Sequence, residues 1–350
     1  MRGIAAISIA LLHFNIGSHF NNAFVSNAWL AVDFFFVLSG FVIALNYIEK
    51  ISSFEDLLAF QKKRFLRLYP LHILMLFVFL GIEFAKLIAE IKFGEVANNQ
   101  AFTEYNLISF LANVFLVQNW AVSFNFPSWS ISVEFFTYAI FAMTVLIFGQ
   151  SRKTHSIILL LAALFFSLIL YNNGFEDENF NSLVRCLYSF SIGVLVFNLY
   201  DYFKEKINLT SSLPALFLLF ISIFLVARFG NRGFDYLILI PIAFGITILI
   251  LVLTNQGSAV NRYLSNRWLV YLGTISYGIY MIHVAIWWMI RQLLRFQFNF
   301  PTAKEGIYTK IVIENVFLAD AITISGLILI LILAHLSYQF VEKRFYKIRN

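Results

Sequence analysis

Four ionisable residues, His13, Asp33, Glu134 and His283, stand inside apolar runs of this chain. An ionisable group in a membrane span is costly and by default marks a site. Histidine titrates near neutral pH and can act as a general base or as a nucleophile. A carboxylate beside it fixes the ring tautomer and stabilises the imidazolium. His13 is therefore read as the catalytic residue, with Glu134 or Asp33 as the carboxylate that orients it. Whether His13 takes a proton or carries a group covalently stays open at this level. The bland alternative for a single histidine is an interhelical hydrogen bond. His283 joins Ser39, Trp129, Ser130 and Tyr277 as candidates for a substrate tunnel or acceptor site. Small residues inside a span more often serve close helix packing, and that is the competing reading at Gly40.

A second group is basic. Arg64 and Arg67, in Lys62-Lys63-Arg64-Phe65-Leu66-Arg67, are three residues apart and share one helix face. Two planar guanidinium forks there suit a phosphate-rich ligand, and Arg2 is expected on the same side of the membrane. Basic residues before a span also follow from topology alone, which accounts well for Lys62 and Lys63. No Cys/His spacing fits a metal site, so none is expected, and the single Cys186 excludes an intramolecular disulfide.

Helices have to position these residues. A span needs about 20 apolar residues to cross ~30 Å of hydrocarbon. Candidate segments are 3–21, 28–47, 69–91, 107–122, 128–149, 156–171, 183–200, 213–229, 235–254, 270–290 and 316–341. At the helical rise, His13, Asp33, Glu134 and His283 would all lie roughly 8–12 Å below the outer ends of their segments. The basic loop 48–67 is expected inside, and so are Arg152-Lys153, Lys204, Lys206, Arg262, Arg267 and Lys343-Arg344. The acidic stretch Glu176-Asp177-Glu178 then falls outside only if 107–122 does not cross, and that segment is also polar. The expectation is an all-α, polytopic membrane helix bundle of about ten transmembrane helices plus one re-entrant or outer-surface helical segment, with both termini cytoplasmic. One transmembrane domain over 1–350 is expected, with no cleavable leader and no soluble extracellular domain.

Composition agrees. Hydrophobic residues make up 60% of the 350 residues and charged residues 13%, against about 25% charged in soluble domains. Mean hydropathy is +0.80. The net charge of +6 is scattered over short gaps between apolar runs, which argues against a nucleic-acid surface.

Arg2 with His13 after ten intervening residues, Phe34 to Phe41, Arg64-x-x-Arg67, Trp129-Ser130-x-Ser132-x-Glu134, Ser276-Tyr277-Gly278-Ile279-Tyr280-x-x-His283 and the closing Phe340 to Arg344 resemble the membrane acyltransferase-3 family. The resemblance runs over nearly the whole chain. It differs in that the family usually has a short lead with an Asp before the Arg-Gly pair, where this sequence has Met1. The resemblance implies a bacterial inner-membrane O-acetyltransferase that uses acetyl-CoA as donor substrate, with no bound cofactor. Its acceptor would be a cell-envelope or exported glycan or a lipid-linked saccharide, within glycan assembly or export machinery. It also implies that His13 is catalytic and that Arg2, Arg64 and Arg67 bind the donor. The alternative is a polysaccharide exporter or proton-coupled transporter that uses the same buried charges. Absence of internal repeats weighs against it.

Overall fold

The computed structural model describes all residues except 98, 150, 151, 174–177, 230–234, 306, 307 and 348–350. Ser151 of the basic gap and Glu176-Asp177 of the acidic stretch thus lie outside the described residues. The fold is all-α. Among the described residues the only strands are a short antiparallel hairpin, β1 (Thr302–Glu305) and β2 (Tyr308–Ile311). The helices used below are α1 (Arg2–Leu12), α2 (Ala31–Tyr47), α3 (Phe54–Phe93), α4 (Leu107–Val114), α5 (Trp129–Phe148) and α6 (Arg152–Asn173). They continue with α7 (Glu178–Phe203), α8 (Leu213–Phe229), α9 (Asp235–Leu253), α10 (Arg267–Thr274), α11 (Ser276–Gln292) and α12 (Val316–Ser337).

Among the described residues, six helical stretches are long and apolar enough to cross a membrane: 28–47, 54–93, 126–148, 154–171, 181–203 and 316–345. Their outward faces carry large exposed apolar side chains, such as Phe77, Phe165 and Phe317, which suit contact with lipid rather than water. The chain is a multi-pass membrane protein.

Several expected boundaries move. The first apolar run is helical only to Leu12, so 3–21 is not one continuous span. Residues 48–67 are mostly helix, because α3 runs unbroken for 40 residues from Phe54 and carries the basic cluster within it. Segment 107–122 contains the eight-residue α4, about 12 Å long and too short to cross. Asn106 caps α4 by accepting from Ser109 N–H, and the turn at Leu116 needs a positive φ of 59°. Segment 270–290 is bent by 62° between α10 and α11.

The described residues group into two compact units. The first contains Met1–Ala5, Ser26–Phe65 and Val133–Gly273. Its centre is α7, which packs on α2, α6 and α9. A Cβ at Gly40 would lie 2.2 Å from Phe190 O, and one at Gly193 would lie 2.0 Å from Val37 O, so glycine lets these two backbones touch. The second unit contains Ala6–Val25, Leu66–Ser132 and Thr274–Asn350. Here α11 packs on α12, and Trp287 fills the space left by Gly326, where a Cβ would be 2.1 Å from the indole.

Candidate active site

In the second unit, His13 is the first residue beyond α1, where the last carbonyls of the helix have no intrahelical N–H. Ala10 O accepts from Trp287 Nε1 at 2.7 Å, and Leu11 O accepts from Phe14 N at 3.1 Å. Ile9 O lies 2.9 Å from His13 Nδ1, and His13 O accepts from Arg291 Nη1 at 3.2 Å. Phe14 stacks on Trp287 with ring centroids 4.0 Å apart. The helix therefore ends where α11 supplies its donors, and this fixes the place of His13.

His13 Nδ1 is 3.2 Å from His283 Nε2, with ring centroids 5.0 Å apart. The types of partner set the tautomers. His283 Nδ1 faces Ile279 O at 3.2 Å, and a carbonyl only accepts, so Nδ1 carries the hydrogen and Nε2 of the neutral ring accepts. His13 Nδ1 then faces two acceptors, Ile9 O and His283 Nε2, and carries a hydrogen shared between them. The lone pair of His13 is thereby placed on Nε2, which makes no hydrogen bond among the described residues. His13 itself is half-buried and His283 fully buried. The result is an imidazole held in one orientation, with its lone pair directed away from both Ile9 O and His283.

The stretch that leads into α5 docks on α11 in the same unit. Asn125 Nδ2 donates to Met281 O at 2.8 Å, and Phe126 stands edge-on to the His13 ring at 5.9 Å. The Ser130 and Tyr280 hydroxyls are 2.8 Å apart and both reach Pro127 O, at 3.0 and 2.8 Å. Ser132 Oγ donates to Leu116 O at 2.6 Å, and Tyr277 O–H donates to Leu68 O at 2.6 Å. Ser130 and Tyr277 are thus engaged in joining elements, and Trp129 is half-buried at the start of α5.

The first unit holds the two carboxylates. Asp33 is fully buried and takes a two-pronged contact from Arg185, Nε to Oδ1 at 2.9 Å and Nη2 to Oδ2 at 2.6 Å. Ser189 Oγ adds a bond to Oδ1 at 3.1 Å, and Arg185 also reaches Trp29 O at 3.2 Å. Glu134 Oε1 accepts from Ser39 Oγ at 2.8 Å and from Tyr138 O–H at 2.5 Å. The contact expected of a carboxylate, on the Nδ1 side of His13, is made instead by Ile9 O and His283.

Arg2 opens α1 with its guanidinium carbon 5.9 Å from the Phe35 ring. Arg64 is buried in α3, lies over the rings of Tyr47 at 5.1 Å and Phe60 at 5.6 Å, and donates to the Tyr47 hydroxyl at 3.1 Å. Arg67 follows in α3 and is half-buried. Reading the sequence alone missed Arg185, Ser189 and Arg291. The signal for Arg185 was present, since an arginine inside the run 183–200 falls under the same rule that singled out Asp33.

Long apolar helices with ionisable and hydroxyl groups buried among them define a multi-pass integral-membrane protein. A family model described as an acyltransferase domain matches residues 1–335, and the chain belongs to that acyltransferase family. Acyltransferase MdmB of Streptomyces mycarofaciens is 29% identical over 157 residues, covering 41% of this chain and 37% of that protein. Peptidoglycan O-acetyltransferase OatA of Listeria monocytogenes is 25% identical over 325 residues, 82% of this chain and 48% of its own length. A putative acetyltransferase of Acidianus two-tailed virus is 22% identical over 294 residues, 81% of each chain. The chain thus spans less than half the length of the first two relatives. No solved structure matches it.

Proposed function

We propose that this protein is an integral-membrane O-acyltransferase that moves an acetyl group from cytoplasmic acetyl-CoA to a hydroxyl of a cell-envelope or exported glycan. The observation that carries the reading is the His13–His283 pair, which fixes the His13 ring and places its lone pair on Nε2. Family membership supplies the acyl-transfer class, and the name of the OatA relative supports acetyl and a glycan.

In this reading the acceptor hydroxyl gives its proton to His13 Nε2 as its oxygen attacks the acyl carbonyl. The imidazolium formed keeps its Nδ1–H on Ile9 O and His283 Nε2, and it sits at the carbonyl end of α1, where the helix dipole favours positive charge. Arg2, Arg64 and Arg67 hold the phosphates of coenzyme A. Arg64, with its guanidinium already set over two rings, loses little freedom on binding. Asp33, spent on Arg185 and Ser189, ties α2 to α7.

The proposed topology is ten spans in a bacterial inner membrane with both termini cytoplasmic. It is supported by the six long helices, the bent α10–α11 pair and the shorter apolar helices at 213–228 and 237–253, which account for nine spans, with the run that begins at α1 as the tenth.

The test is transfer of radiolabelled acetyl from acetyl-CoA to envelope glycan by the purified protein in lipid nanodiscs. His13→Ala is expected to lower the rate by ~10²–10⁴ while acetyl-CoA still binds. Normal transfer by a folded His13→Ala protein refutes the base assignment. Glycan movement without acetyl transfer favours the exporter reading.

A further inference from the structure

Ser39, Glu134 and Tyr138 form a closed hydroxyl–carboxylate cluster that the base at His13 does not use. Ser39 Oγ donates to Glu134 Oε1 at 2.8 Å, Tyr138 O–H donates to the same oxygen at 2.5 Å, and the two hydroxyl oxygens are 2.8 Å apart. Glu134 Oε2 makes no hydrogen bond among the described residues. Ser39 and Glu134 are half-buried, whereas Tyr138 is buried between the edges of Phe60 and Phe190. The cluster is held rigidly, because Gly40, next to Ser39, lies directly on the Phe190 carbonyl.

An activated nucleophile has a recognisable build: a hydroxyl within hydrogen-bond reach of a base, and a third group that orients the base. Serine, glutamate and tyrosine occupy those three positions here. Cys186, the other nucleophile type nearby, is fully buried with Thr137 Oγ1 donating to its sulfur at 3.2 Å, so it is closed off. We infer that Ser39 is a covalent acyl station: it takes the acyl group from the thioester before the group passes to the acceptor. The inference rests on the acyl-CoA donor proposed above.

The step balances as follows. Ser39 Oγ forms a bond to the thioester carbonyl carbon as its proton moves to Glu134. The carbon–sulfur bond breaks, and the leaving thiolate takes that proton to give free coenzyme A. In the second step the acceptor oxygen attacks the serine ester carbonyl and its proton goes to the base. The ester carbon–oxygen bond breaks toward Ser39, and the proton held by the base balances the returning alkoxide. Nothing is oxidised or reduced. Tyr138, whose O–H is held by Glu134 Oε1, acts as a positioning residue that fixes the carboxylate.

The experiment incubates the full chain in nanodiscs with [¹⁴C]acetyl-CoA and no acceptor, quenches in acid and maps the label by peptide mass spectrometry. The expected result is an acetyl ester on Ser39, released to acceptor when glycan is added. Ser39→Ala should carry no label. Ser39→Cys should carry it as a thioester, now cleaved by neutral hydroxylamine where the serine ester resists. That gain of lability is something a merely structural serine would not give. Glu134→Gln should slow labelling by ~10²–10⁴. An unlabelled wild-type protein that still transfers acetyl overturns the inference, and so does Ser39→Ala transferring at the wild-type rate. Both results leave the transferase reading standing. A wild-type protein that neither labels nor transfers acetyl from acetyl-CoA overturns both.

Discussion

Arg185→Ala tests whether the Asp33 cluster is structural. The substitution removes contacts at 2.9 and 2.6 Å and leaves Asp33, among the described residues, with Ser189 alone, at a side chain with no solvent exposure. Removing one partner of a buried ion pair costs ~3–5 kcal/mol, because the remaining charge is uncompensated. Asp33→Ala should cost a similar amount by stranding Arg185. The double variant Asp33→Ala/Arg185→Ala should cost less than the sum by ~0.5–3 kcal/mol, because neither charge is left unpaired. The assay is unfolding of the detergent-purified protein followed by tryptophan fluorescence, with acetyl transfer measured per folded molecule. The double variant should unfold more easily than wild type and keep most of its transfer rate. Additive costs in the cycle, or a folded Asp33→Asn protein with its rate lost at unchanged stability, would refute the structural assignment and make Asp33 part of the chemistry.

Other outcomes follow from single contacts. His283→Ala removes the second acceptor of the His13 Nδ1–H, so kcat should fall with little change in KM for acetyl-CoA, and His283→Gln should recover part of the loss because an amide oxygen also accepts. Steady-state kinetics with varied acetyl-CoA checks it. Gly40→Ala places a methyl 2.2 Å from a backbone oxygen, so α2 and α7 must separate; a cost of ~1–3 kcal/mol should appear as a lower melting temperature. Lysine at Arg64 or Arg67 loses the planar fork and should weaken acetyl-CoA binding roughly ten- to a hundredfold, measured by equilibrium dialysis. A cysteine at Asp177 should react with an impermeant thiol reagent added outside, and one at Lys153 should not; equal labelling would overturn the proposed topology.

From the sequence alone came the solvent and the currency of the fold. Runs of apolar residues longer than a soluble core can use, with charges confined to the gaps, leave only helices that satisfy their own backbone in lipid. The same logic exposed His13, Asp33, Glu134 and His283, because an ionisable group among such residues is legible from its neighbours along the chain. It also reached the tight step at Gly40, since a small residue in a span has few uses other than close approach. What it could not supply was pairing. A hydrogen bond reaches about 3 Å, and His13 is 270 residues from His283, as Asp33 is 152 from Arg185. Depth estimates assumed an unbroken helix through 3–21, but α1 stops at Leu12, and Trp287 and Arg291, far along the chain, supply the donors for Ala10 O and His13 O at that end. Which carboxylate faces which partner, and which nitrogen of His13 keeps its lone pair, depends on side-chain contacts between helices. Those contacts exist only once the helices have packed.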